Sequence, residues 1–105
     1  MIRLGDIAYA RSGDKGAAAN IGVIARRQSD YPLLLRVLTT AVVADFFKDL
    51  RPSNVRRYEL PNLGALNFVL SDVLDGGGSV SLRLDAQGKT LGQALLEMKL
   101  DVPNE

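Results

Sequence analysis

Apolar and polar residues alternate at the start of the chain, and the alternation changes phase once. Ile2 and Leu4 fall on one face of an extended segment, whereas Ile7 and Tyr9 fall on the other. Gly5-Asp6 lies at the change of phase. The pattern therefore predicts a bend at this dipeptide, followed by the first main strand.

The next stretch, residues 12–20, is rich in glycine and polar side chains and predicts a loop. The apolar, β-branched run from Asn20 to Arg27 follows, and we interpret it as an interior strand. A helix that starts at Gly16 is the alternative, because the same apolar residues also fit one helical face.

Helical spacing dominates the middle of the chain. Ser29-Asp30-Tyr31-Pro32 combines capping residues with a proline in the first turn, and Thr39-Thr40 offers a second cap, so we expect one helix or two short ones. An amphipathic stripe follows, and Pro52 ends it. The stripe consists of Val42, Val43, Phe46, Phe47 and Leu50.

A strand is then predicted from Asn54 to Leu60, with Val55 directed inward and Tyr58 as a second inward candidate. Pro61-Asn62 breaks this strand. After the break, apolar residues recur at helical spacing and predict a second main helix that stops at Gly76-Gly77-Gly78. These residues are Leu63, Leu66, Leu70, Val73 and Leu74.

Alternation returns in the last third. Residues 80–84 predict a strand, Asp85 to Lys89 a hairpin-type turn, and Ala94 to Val102 a final strand. A helix is the alternative for the last segment, on the spacing of Leu91, Leu95, Met98 and Val102. The order of elements predicts one domain over residues 1–105 with an α+β fold: a two-layer sandwich with a mainly antiparallel sheet and helices on one face.

Charge and composition exclude several classes of function. The 13 basic and 12 acidic residues give a net charge of +1, so we expect neither nucleic-acid nor membrane binding. The pairs Arg26-Arg27 and Arg56-Arg57 indicate solvated strand or loop ends, with phosphate binding as the alternative. The chain has no Cys and no His, so no metal site is expected, and catalytic residues and cofactors stay unassigned.

The location of the protein follows from two further features of the sequence. No signal-peptide pattern opens the chain, and no apolar stretch approaches the ~20 residues that a membrane span needs. We therefore expect a cytoplasmic protein.

The first candidate site is Arg11-Ser12-Gly13-Asp14-Lys15-Gly16 together with Asn20. Glycines allow successive backbone N–H groups to point at an anion, and Lys15 adds a positive charge. The spacing matches neither a Walker loop nor a dinucleotide-binding fingerprint. One interpretation is a small enzyme or ligand-binding module for a carboxylate or CoA-type anion. The other is a solvated hairpin loop.

The second candidate site runs from Glu59 to Asn67. Asn62 is placed to cap the predicted helix. Asn67 lies beside the apolar stripe of that helix, and a buried Asn needs hydrogen-bond partners or a ligand. Tyr58 and Glu59, at the end of the preceding strand, can face the same pocket.

Several strings of residues resemble the C-terminal region of AtuA-like (acyclic terpene utilisation) proteins. They are Ala8 to Gly16, Asn20 to Arg26, Tyr31 to Leu34, Arg57 to Leu70 and Asp85 to Lys89, so the resemblance spans nearly the whole chain. It implies a ferredoxin-like fold. In longer relatives this region follows a large N-terminal domain, so the resemblance implies a free-standing subunit that docks on a larger AtuA-like protein.

The resemblance also implies a role in the breakdown of acyclic terpenes through acyl-CoA thioesters, and it carries no catalytic residues. We expect Phe46, Phe47 and the last strand to form the docking surface. An exposed strand edge in so small a sheet would also allow a homo-oligomer.

Overall fold

The computed structural model describes residues 2–73 and 90–101. Its strands are β1 (Ile2–Arg3), β2 (Ala8–Lys15), β3 (Ala18–Ala25), β4 (Asn54–Leu60), β5 (Ala65–Ser71) and β6 (Lys99–Leu100). Its α-helices are α1 (Tyr31–Val37), α2 (Thr40–Phe46) and α3 (Leu91–Leu95), and single 3-10 turns span Leu4–Asp6, Gln28–Asp30, Lys48–Leu50 and Pro61–Leu63.

Four strands form the main sheet, in the order β2-β3-β5-β4, and every neighbouring pair is antiparallel. The short strands β1 and β6 form a separate antiparallel pair, in which Ile2 lies opposite Leu100. The predicted α+β sandwich with a mainly antiparallel sheet is confirmed.

The helices pack on one face of the main sheet and cover its apolar side. Alternate residues of β3 and β5 are fully buried there, among them Ile21, Leu66 and Phe68. The helices contribute buried residues to the same cluster, including Leu34 of α1 and Leu95 of α3. Each such side chain contributes about 1.5–3 kcal/mol through its removal from water.

The helical region is split in two, which is one of the two predicted alternatives. α1 ends at Val37, and Leu38 leaves the helical conformation with ψ 72°. Thr39 then accepts a hydrogen bond from the Val42 N–H, at 3.1 Å, through its side-chain oxygen. Because this cap satisfies a free amide at the start of α2, the chain begins a new helix here.

Two further predictions near the N-terminus are confirmed. The bend at Gly5-Asp6 is the 3-10 turn Leu4–Asp6, held by a hydrogen bond from the Arg3 N–H to the Asp6 carboxylate at 2.8 Å. The segment from Asn20 belongs to β3 and not to a helix.

The predicted helix from Leu63 to Leu74 is wrong, because residues 65–71 form strand β5. The leucines fit a helical stripe, yet Leu66, Phe68 and Leu70 also alternate with Asn67 and Val69. β5 lies between β3 and β4 and has ladder partners on both sides, which decides between the two patterns. The predicted glycine stop, the strand at 80–84 and the turn at 85–89 lie outside the described residues.

The final strand predicted from Ala94 is largely wrong. The α3 helix begins after Thr90, whose side chain accepts the Gln93 N–H at 3.2 Å, while the Gln93 side chain accepts the Thr90 N–H at 3.1 Å. This reciprocal capping box favours a helix over an extended start. Only Lys99 and Leu100 of the predicted segment are strand within the described residues.

Candidate functional site

The first candidate segment is the tip of a β-hairpin, as one of the two interpretations expects, but the loop predicted over residues 12–20 is wrong in extent. β2 continues through Ser12, Gly13 and Asp14 to Lys15, which pairs with Ala18 of β3. The turn itself has two residues, and the first, at position 16, has φ +64°, a conformation that glycine adopts without strain. Residues paired in an extended ladder do not converge their N–H groups on one anion.

The side chains of this segment divide between two faces, because successive strand residues point to opposite sides. Ser12 and Asp14 lie on the side of the helices, where the Ser12 hydroxyl accepts a hydrogen bond from the Gly92 N–H of α3 at 3.2 Å. Arg11 and Gly13 lie on the opposite side. The Ser12 hydroxyl therefore holds α3 on β2.

Glu59 and Asn62, two candidates of the second segment, do not lie on the sheet face opposite the helices. Glu59 accepts a hydrogen bond from Arg57 at 3.0 Å on the side of the helices. Asn62 is exposed in the 3-10 turn Pro61–Leu63, and β5 follows it, so its predicted role as the cap of a long helix is wrong.

The sheet face opposite the helices is called the open face. Its strand positions are Tyr9, Arg11, Gly13, Ala18, Asn20, Gly22, Ile24, Asn54, Arg56, Tyr58, Leu60, Ala65, Asn67, Val69 and Ser71. Among the described residues no helix packs on this face. Four of the sequence-predicted candidates meet here: Arg11, Gly13, Asn20 and Asn67.

The strand register arranges these residues in rows across the open face. Arg11 lies opposite Gly22, Gly22 opposite Asn67, and Asn67 opposite Tyr58. Neighbouring strands lie about 4.8 Å apart, so this row is about 14 Å long. The next row joins Gly13, Asn20, Val69 and Arg56 in the same way.

Asn67 lies half-buried at the centre of the open face, and its side chain makes no hydrogen bond to the residues that the structure describes. The neighbouring Gly22 has no side chain. A Cβ placed there would lie 4.0 Å from Asn67 Oδ1 and 3.9 Å from the Arg11 carbonyl oxygen. In this row, therefore, no β3 side chain stands between Arg11 and Asn67.

Several large side chains of the open face are exposed. Tyr9 is 51% exposed, Tyr58 47% and Leu60 42%. Arg26 lies beside Tyr9 with its guanidinium carbon 4.1 Å from the ring centroid, and its Nε donates a hydrogen bond to the Gly5 carbonyl oxygen at 3.0 Å. The prediction that Tyr58 points inward is wrong, because it falls on the open face together with Arg56.

The strand positions of the open face carry no carboxylate among the described residues. Arg11 and Arg56 are exposed on this face, whereas the two acidic residues of the main sheet, Asp14 and Glu59, lie on the side of the helices. The polar groups at the strand positions of this face are guanidinium, amide and phenol groups, all of which can donate hydrogen bonds. The donors on this face favour a ligand that brings oxygen acceptors.

Sequence reasoning missed Gly22 and Arg56 as members of this site. Both become visible only when the register of four strands is known, because a shift of one residue moves a side chain to the other face.

Within residues 2–73 and 90–101, no three acidic side chains lie close enough together to hold a metal ion. No helix in the same ranges has the length and apolar character needed to cross a membrane.

Comparison with known proteins gives one match. A family model described as the AtuA ferredoxin-like domain matches residues 2–101. No curated protein and no solved structure matches the chain.

Proposed function

The chain belongs to the AtuA ferredoxin-like domain family, and from this premise we propose that it is an accessory domain that docks on a larger AtuA-like protein. The open face is the docking surface in this proposal. The partner acts in the breakdown of terpenoid or branched-chain acyl-CoA thioesters, and the domain completes or regulates its site.

The exposure of the open face carries the proposal. Tyr58 and Leu60 are neighbouring outward residues of β4, and about half of each side chain is in contact with water. Tyr9 is exposed on the opposite edge of the same face. Contiguous exposed apolar and aromatic groups mark protein interaction sites, and tyrosine is enriched in interfaces.

The surface expected from the sequence supports docking less well. Phe47 is buried in the core, and Phe46, which is 38% exposed, packs edge-to-face against it with ring centroids 5.0 Å apart. The last strand, β6, has two residues and is paired with β1.

The geometry does not favour the alternative of an anion-binding loop at residues 12–16. Ser12 is engaged with the Gly92 amide, and residues 12–15 are ladder-paired strand. A ligand at this segment stays a prediction that follows from the sequence.

Affinity purification of the tagged chain from its organism of origin tests the proposal. We expect a protein with the large AtuA-type domain to co-purify with the wild type, and the double variant Tyr58→Ala/Leu60→Ala to recover about ten-fold less of it or worse. Val42→Ala is the matched control, because Val42 is an exposed apolar residue on α2, away from the open face. Equal recovery by the double variant, or no AtuA-type protein with the wild type, would contradict the proposal.

A further inference from the structure

We infer that the open face binds an acidic, extended segment of its protein partner, in which carboxylates follow an apolar side chain. This inference rests on the proposed function and adds the chemistry of the segment that the domain contacts.

Charge is distributed unevenly between the two faces of the main sheet. The whole chain is nearly balanced, at +1, yet the open face carries Arg11 and Arg56 and no carboxylate at any strand position. Neither arginine has an ion-pair partner among the described residues, whereas Arg57, the next residue along β4, is paired with Glu59. The charges of Arg11 and Arg56 are therefore left for a partner of opposite sign.

Rows of different character follow one another on the open face. The register places Tyr9, Ile24 and Leu60 in one row with Ala65, so the strand positions at one end are apolar, and the exposed Arg26 guanidinium stacks on Tyr9 at the β2 edge of this row. The next row begins with Arg11 and the third ends with Arg56. The β4 edge therefore changes from apolar Leu60 to basic Arg56, and the β2 edge carries Arg11 one row beyond the stacked pair of Tyr9 and Arg26.

The spacing of the rows matches an extended polypeptide. Successive rows are two strand residues apart, which is about 6.8 Å, and side chains on one side of an extended peptide have the same spacing. Consider a segment with one apolar side chain, followed by acidic side chains two and four residues further on. Its apolar group then lies over the row of Tyr9 and Leu60, and its acidic groups lie over the rows of Arg11 and Arg56. A small anion would leave Tyr58 and Leu60 uncovered, so a polypeptide accounts for more of the face.

The test uses the intact chain and two end-capped peptides, Leu-Ser-Glu-Ser-Glu and its reverse sequence, with Gln-for-Glu versions of both as controls. Amide chemical shifts are followed by NMR during titration. We expect at least one Glu peptide to shift the amides of Gly22, Asn67 and Tyr58, and its Gln version to bind about five-fold more weakly or worse. Raising the salt concentration should reduce this difference.

Variants of the chain show which arginines cause the preference for Glu over Gln peptides. Arg11→Gln/Arg56→Gln should lose the preference for Glu over Gln, while Arg36→Gln, at an exposed arginine of α1, should keep it. The inference is overturned if no peptide shifts these amides, if Gln and Glu peptides bind alike, or if the double variant keeps the preference. It is also overturned if inorganic phosphate or oligothymidine shifts the same amides at lower concentration than the Glu peptides.

The peptide titration and the co-purification can give negative results independently of each other. If the AtuA-type protein co-purifies and depends on Tyr58 and Leu60 but not on Arg11 and Arg56, docking stands and the acidic segment is wrong. If no AtuA-type protein co-purifies, docking on it is wrong, whatever the peptides do.

Discussion

Arg57 links the junction of α1 and α2 to the sheet, and its replacement should destabilise the fold. Its Nη1 donates hydrogen bonds to the carbonyl oxygens of Leu35, at 2.8 Å, and Leu38, at 3.0 Å. Its Nη2 donates to Glu59 at 3.0 Å. The two carbonyls lie at the C-terminal end of α1, where carbonyl groups lack partners within the helix and a cation is favourable.

The expected loss of unfolding free energy follows from the burial of the Arg57 side chain. A hydrogen bond to a charged group contributes about 1.5–3 kcal/mol, and the Arg57 side chain is 21% exposed, so water compensates only part of a loss. We therefore expect Arg57→Met to lower the free energy of unfolding by about 2–4 kcal/mol. Glu59 is 54% exposed, and Glu59→Gln should cost less than about 1 kcal/mol, as exposed ion pairs do.

Urea unfolding followed by helical circular dichroism measures both variants. Arg57→Met should move the midpoint down by about 1–2 M with an unchanged slope. Arg57→Lys should fall between it and the wild type, because an ammonium group does not reproduce the planar fork of a guanidinium. A loss for Glu59→Gln as large as that for Arg57→Met would show that the ion pair dominates and would refute the reasoning. So would a loss below about 0.5 kcal/mol for Arg57→Met.

Three further predictions concern other parts of the fold. Phe68→Ala should cost about 3–5 kcal/mol, because this side chain is fully buried, and calorimetry should show Tm lowered by at least about 12 °C; a change of a few degrees would contradict this. Gly64→Ala should cost about 1–2 kcal/mol in urea unfolding, because φ is +60° and the new Cβ would lie 2.5 Å from Gln28 Oε1; the cost should fall in a Gln28→Ala background. Ser12→Ala should speed hydrogen exchange at the Gly92 amide and leave exchange in β5 unchanged, and unaltered exchange at Gly92 would exclude the link between β2 and α3.

Local signals in the sequence predicted the elements whose boundaries are set locally. Thr39 begins α2 because its own side chain satisfies an amide three residues on, and Pro61 ends β4 because proline cannot continue the ladder. β5 was mispredicted because Leu66 and Leu70 satisfy helical spacing as well as strand alternation. Only its two ladder partners, which are distant in sequence, distinguish these patterns.

The open face could be predicted only in part for the same reason. The pair Arg56-Arg57 indicated a solvated end, yet the strand sends one arginine to each side of the sheet. Arg57 joins the helices and Arg56 joins the open face. Asn67 was singled out in the sequence as a polar residue beside the stripe of a predicted helix, whereas it lies on strand β5. Its neighbour Gly22 follows only from the register of β3 against β5.

This division of the sheet separates stability from binding. The side chains that hold the helices, such as Arg57 and Ser12, lie on one side of the sheet. The Arg11 and Asn67 side chains lie on the open face and make no hydrogen bond within the described part of the chain. Substitutions of the exposed Arg11 and Arg56 should therefore change the free energy of unfolding by no more than about 0.5 kcal/mol. A loss of partner binding in such a variant, measured at unchanged stability, would then report a lost contact instead of a damaged fold.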